Sequence, residues 1–261
     1  MKLPIYQIDA FAERLFAGNP AAVVLLEQWL PDATLLAIAA ENNLSETAFV
    51  IPGGGISQLR WFTPKVEIDL CGHATLASAD VLLREVFPGR DVVRFSTRSG
   101  ELAVKREGDL LRLDFPARPG RPVPVDPVVC EALGATPQAA YQARDLMLVF
   151  GNEAEVAALT PDFRQLAALL PEMVIVTAPG DSADFVSRFF APGSGIDEDP
   201  VTGSAHCTLI PYWAERLGKN KLHARQISAR GGELWCELCG ERVGIAGQAV
   251  EYLRGEIFIA G

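Results

Sequence analysis

The amino-acid sequence predicts an α+β protein of two pseudo-symmetric halves, each a set of short strands wrapped round one buried helix. Three observations carry that expectation: an ordered internal repeat, a proline-rich stretch at mid-chain, and a helical segment that is apolar nearly all round. The repeat pairs Arg60-Trp61-Phe62-Thr63-Pro64 with Arg188-Phe189-Phe190-Ala191-Pro192, and Gly72-His73-Ala74 with Gly203-Ser204-Ala205. Gly100-Glu101-Leu102 returns as Gly232-Glu233-Leu234, Gly108-Asp109 as Gly240-Glu241, and Pro31-Asp32 as Pro161-Asp162. The order never breaks, and the common offset is about half of the 261 residues, as a duplicated unit requires.

Residues 116–127 carry five prolines. Proline fixes φ and removes a donor, so an extended connector is expected there rather than a core element. The halves are accordingly read as 1–117 and 118–261. Strands are expected where apolar alternation and β-branching lie between turn residues: 5–11, 21–26, 47–51, 58–63, 92–97, 101–106 and 110–115. A helix is expected over 32–42 after a Pro-Asp start. A second, over about 73–84, lacks a polar face and should be buried. Its partner, about 204–217, should stop at Gly218 and either kink or start late because of Pro211.

Composition excludes several classes. With 49% hydrophobic residues the chain can offset its ordering entropy by burial, so it is not disordered. A net charge of −10 with no basic block makes nucleic acid and anionic membranes poor partners. No apolar run approaches a membrane span and no signal-peptide core is visible. Five cysteines, an odd number in a chain this long, read as free thiols in a reducing compartment, so the protein is expected in the cytoplasm.

The chemistry is expected at the two helix starts. Free N–H groups and the positive dipole end bind anions there, and glycine lets a ligand approach the backbone. Gly72 and Gly203 would hold a small carboxylate in a cleft between the halves. One such glycine is more often a tight turn; two equivalent copies favour a ligand. The polar stretch 42–46 sits in one copy of the repeat and has no full counterpart in the other. A partly desolvated Glu46 at a strand start can act as general base and then general acid, although most glutamates so placed are solvated edge charges. His73 offers a second proton carrier, or else a cap. Asp199, in Asp197-Glu198-Asp199, could orient a substrate, or the acidic run could serve the helix dipole. Cys71 faces Thr202 in the repeat, so a two-thiol racemase is not expected and Cys71 reads as a small buried residue. Cys236 and Cys239 form a lone CxxC with no second ligand pair, so neither metal nor redox chemistry is expected. P-loop, GxGxxG, nucleophile-elbow and HExxH motifs are missing, so the chemistry is expected to need no cofactor.

Gly18-Asn19-Pro20, residues 43–49, Phe62-Thr63-Pro64, residues 70–75 and residues 198–205 together resemble the PhzF-like family of phenazine-biosynthesis isomerases. The resemblance spans nearly the whole chain. It implies a diaminopimelate-epimerase-like fold, each half a β-barrel-like sheet round a central helix, with the active site between the halves and a homodimer as the usual assembly. It further implies a cofactor-independent isomerase in which Glu46 moves a proton, His73 and Asp199 assist, and Ser45, Gly72, Gly203 and Ser204 hold the substrate carboxylate or its neighbours. The expected function is therefore proton movement within a small carboxylate. A non-catalytic carboxylate-binding or protein-interaction member of the same fold is the alternative.

Overall fold

The computed structural model of the chain describes residues 1–169 and 173–259. In chain order the first stretch forms β1 (Lys2–Ala10), β2 (Asn19–Leu25), α1 (Asp32–Asn42), β3 (Glu46–Ile51), β4 (Ser57–Phe62) and β5 (Glu67–Ile68). It continues through α2 (Gly72–Val81), β6 (Val92–Thr97), β7 (Gly100–Glu107) and β8 (Leu110–Pro116). Next come β9 (Arg121–Val123), α3 (Pro127–Leu133), β10 (Ala139–Gln142), β11 (Leu146–Val149), α4 (Glu153–Ala157) and α5 (Phe163–Leu169). The remainder is β12 (Val174–Pro179), β13 (Phe185–Ala191), β14 (Ile196–Glu198), α6 (Gly203–Leu217), β15 (Lys221–Gln226), β16 (Gly232–Cys239), β17 (Arg242–Gly247) and β18 (Ala249–Phe258). No helix among the described residues is long and apolar enough to cross a membrane.

Two compact units emerge, Met1–Asp114 with the stretch from Ala246 onward, and Phe115–Ile245. In the first, β18 runs antiparallel to β1, β1 to β2, and β3 to β4, while β2 and β3 are parallel. Strand β4 also pairs antiparallel with β5 and parallel with β6, which leads by hairpins to β7 and β8. The second unit repeats the scheme. There β9, β10 and β11 are antiparallel, β11 and β12 parallel, β12 and β13 antiparallel. Strand β13 takes β14 antiparallel and β15 parallel, and β15 turns into β16. Parallel neighbours need a crossover, and helices supply each one: α1 and α2 in the first unit, α4 with α5 and then α6 in the second.

Helix α2 is the centre of the first unit. Every residue from His73 to Val81 is buried, and strands β1, β2, β3, β7 and β18 pack against it. The uniformly apolar stretch in the sequence is the cause: such a helix has no face to offer water. It runs on into a π-helical turn at Leu82–Val86, closed by Phe87 N–H donating to Leu82 O at 2.7 Å. Helix α1 covers the outside of the sheet, setting Leu35, Ile38 and Ala39 on Val24, Phe49 and Phe62. In the second unit Trp213 of α6 stacks on Phe185 at 5.6 Å and donates to Thr177 Oγ1 at 3.0 Å. Each fully buried side chain of this size contributes about 1.5–3 kcal/mol.

The repeated Arg-x-Phe motif has a physical reason. Arg60 donates through Nε and Nη2 to both carboxylate oxygens of Glu67, at 2.7 and 2.6 Å, and its guanidinium lies 5.1 Å from the Phe62 ring. Arg188 does the same to Glu198, at 2.7 and 2.9 Å, over Phe190 at 5.0 Å. Residues two apart share a face of a strand, so arginine and ring stack while the fork locks the next strand in place.

The structure departs from the sequence reading at three places. The stretch from Ala246 belongs to the first unit rather than the second half, because β18 pairs with β1 along its length. The proline-rich connector is extended but includes β9, whose Pro122 sits opposite Tyr141 in β10; an edge strand tolerates a missing donor. Helix α6 neither starts late nor breaks at Pro211. Proline there leaves the Cys207 carbonyl without its helical donor, and Arg118 N–H fills the vacancy at 2.8 Å.

Candidate active site

The parallel pairing of β2 and β3 sets Ala21 beside Glu46, so Asn19 and Glu46, each opening its strand, lie at one end of the sheet. Helix α2 packs on both strands and starts with Gly72 and His73. Gly18 makes the entry to β2 possible: its φ is +66°, and a Cβ there would stand 2.2 Å from Ala10 O. At the other strand Asn43 ends α1 in the left-handed region, its N–H donating to Ala39 O. A tight turn then delivers Ser45, half-buried, and Glu46.

Glu46, Cys71 and His73 cluster there, 8%, 6% and 5% exposed. Glu46 Oε2 lies 3.1 Å from His73 Nε2, yet neither atom has an aligned hydrogen-bond partner among the described residues. On the ring's other side Nδ1 lies 3.3 Å from Asn19 Nδ2 and 3.5 Å from Cys71 Sγ. Burial alone would lower His73. The Cys71 sulfur and the Glu46 carboxylate outweigh it and hold the ring well above the ordinary histidine range. Burial raises the Cys71 thiol and the Glu46 charge raises it further.

In the second unit Asp199, Thr202, Gly203 and Ser204 open α6. Thr202 Oγ1 donates to the Asp199 carboxylate, and buried Gln226 clamps the loop. Its Nε2 donates to Asp199 O at 2.8 Å and to Thr202 Oγ1 at 3.2 Å, while its Oε1 accepts from Thr202 N–H at 2.8 Å. Arg144, forked onto buried Asp145 at 2.9 and 3.1 Å, donates to Ser204 Oγ at 3.0 Å. His206, one turn along, donates from Nδ1 to Thr202 O at 2.8 Å. Thr75, its counterpart in α2, donates in the same way to Cys71 O.

The expected residues thus fall into two clusters: Ser45, Glu46, Gly72 and His73 in the first unit, Asp199, Gly203 and Ser204 in the second. Of the acidic run, Asp197 is exposed and Glu198 is the partner of Arg188, which leaves Asp199 at the helix start. The turn of the second half that corresponds to 42–46 includes residues 170–172, outside the described residues. Cys236 and Cys239 lie on opposite faces of β16, one buried and one exposed, as an odd spacing in a strand dictates. Cys71, read as a small buried residue, is buried and stands beside His73. Sequence reasoning missed two residues. Gln226 and Arg144 are distant in sequence from the residues they hold, and nothing local announces them.

Comparison with known proteins shows the family. The family model described as phenazine biosynthesis-like protein (PhzC-PhzF) matches residues 8–255. Two proteins of Pseudomonas aeruginosa named uncharacterized isomerases are 52% and 54% identical, covering 99% and 98% of this chain and 100% and 99% of their own. A crystal structure of a PhzF family protein from Enterococcus faecalis, 51% identical, superposes with a TM-score of 0.97 over 99% of this chain and all of that one. A probable proline racemase from Agrobacterium radiobacter, 11% identical over 99% of this chain and 93% of its own, shares the fold at a TM-score of 0.65. With the family model covering nearly every residue and the relatives matching end to end, the chain belongs to the phenazine biosynthesis-like PhzC-PhzF family.

Proposed function

We propose that the protein is an isomerase that moves a proton within a small carboxylate, with Glu46 as the proton carrier. The observation that carries this reading is the Glu46–His73 pair: two buried groups of opposite charge, 3.1 Å apart, neither used up in an aligned hydrogen bond. A carboxylate so placed can take a proton from carbon activated by an adjacent π-system and return it at another carbon. The proton leaves on Glu46 and comes back from Glu46, so nothing is oxidised or reduced. While Glu46 holds it, the negative charge developing on the substrate faces the His73 imidazolium, which offsets it.

Ser45 and Gly72 are assigned to the substrate beside Glu46. At the start of α6, Asp199, Gly203 and Ser204 are assigned to orienting and holding a carboxylate, with Arg144 fixing the Ser204 hydroxyl. The relatives named isomerases support the reaction class. Glu46→Gln should lower turnover by about 10²–10⁴-fold, the usual worth of a positioned acid–base group, with folding and ligand binding retained. Activity is read as solvent deuterium entering a panel of cyclic and amino-acid carboxylates. Near-normal exchange in the variant would remove Glu46 from the role, and binding without any exchange in the parent chain would remove the isomerase reading.

A further inference from the structure

The geometry points to a second use of the same cluster: we propose that Glu46, Cys71 and His73 form a binding site for a soft divalent cation, Zn²⁺ or Cd²⁺. One ligand atom from each residue lies within 4.8 Å of the other two. A carboxylate, a thiol and an imidazole are a donor set that Zn²⁺ accepts, whereas Mg²⁺ and Ca²⁺ ask for six or more oxygens. Spacing decides the matter further. Two neighbouring ligands on a tetrahedral ion with bonds of about 2.0–2.1 Å stand about 3.3 Å apart; Glu46 Oε2 and His73 Nε2 stand 3.1 Å apart.

Both of these atoms are buried, and neither is held in an aligned hydrogen bond among the described residues, so both can turn to an ion placed between them. Cys71 Sγ, within 4.8 Å of the other two ligand atoms, is the third donor. Three protein ligands leave a fourth position open to water or to a carboxylate. On binding, the thiol proton and one imidazolium proton pass to the buffer, and Cys71 becomes the thiolate ligand. Cys236 and Cys239 do not compete as a pair, because β16 points them apart.

The ion would occupy the residues assigned above to proton transfer, so its inhibitory consequence rests on that reading, whereas binding does not. The test uses the full chain, stripped with a chelator and carrying Cys239→Ser to remove the exposed thiol, titrated with Cd²⁺. The ultraviolet cadmium–thiolate band and calorimetry are recorded together. The expected result is one ion per chain, a band abolished by Cys71→Ser and Cys71→Ala, and affinity lowered by His73→Gln at least as much as the roughly 10–100-fold that loss of an outer neighbour costs. Circular dichroism establishes that each variant is folded. The absence of a band, a band that survives both Cys71 variants, or unchanged affinity in His73→Gln would overturn the site. Parent chain that binds Cd²⁺ this way but exchanges no deuterium would overturn the isomerase and leave the metal site standing.

Discussion

A buried carboxylate costs several kcal/mol unless a charge or donors face it, and at the start of β3 the group facing Glu46 is His73. The two histidines that follow the helix starts have opposite environments. His73 meets a carboxylate and is held charged, while His206 lies among Phe185, Trp213 and the first turn of α6 with no charge beside it. Burial pulls His206 down to about 4, the bond to Thr202 opposing only in part. Below pH 6.5 the unfolded chain takes up a proton that the folded chain refuses. This share of stability is therefore present above pH 6.5 and is lost as the pH falls toward 4, amounting to about 3 kcal/mol in all. His206→Gln should flatten that part of the pH dependence, read as the difference in urea midpoints at pH 7 and pH 4.5. Equal pH dependence in the two chains would show that His206 is not the group that titrates. Glu46 and His73 were legible in the sequence because each sits at an element start, beside residues that set the backbone. Gln226 was not, because its role depends on β15 passing the loop before α6.

At the scale of elements the repeated arginines show what a motif is for. Arg188 forks onto Glu198, stacks on Phe190, and also donates from Nη1 to Val156 O and Leu159 O at 3.1 and 2.8 Å. It thereby ties β14 to β13 and closes the carboxyl end of α4. Removing one partner of a largely buried pair costs about 3–5 kcal/mol, so Arg188→Ala should unfold the second unit at much lower denaturant. Arg188→Lys should recover only part of the loss, because an ammonium cannot make the two-pronged bond or the flat stack. Similar midpoints for lysine and arginine would mean that charge alone matters. The motif was visible as a repeat before its contacts were known; Glu67 and Glu198, seven and ten residues downstream, were the unread half of the signal. Helix bounds came out closely wherever capping was local, as with α1 and with Gly218 in the left-handed region after α6. Pro211 misled because the carbonyl it orphans finds a donor at Arg118, far away in sequence.

At the scale of the whole molecule one strand departs from the simple duplication. Strand β9 opens the second half and pairs with β10 within it, whereas β18 follows β17 at the end of that half yet pairs with β1 in the first unit. The second repeat thus ends on a strand that completes the first unit. A chain stopped at Ile245 should keep the second unit protected and lose the first, read by limited proteolysis with mass identification of the fragments. Survival of the first unit would show that β18 is dispensable. A cut at 117/118 would leave β18 on the fragment that lacks β1. The sequence by itself determined the duplication, the buried α2, seven strands of the first half, helices α1 and α6, and the residues that open β3, α2 and α6, since periodicity, capping and glycine are local properties of the chain. Only the tertiary structure decided which strand completes which unit, that Cys71 stands beside His73 and within reach of Glu46, and that Gln226 and Arg144 hold the start of α6. Those are pairings between distant residues, chosen by burial and hydrogen bonding across the folded chain, and no local pattern encodes them.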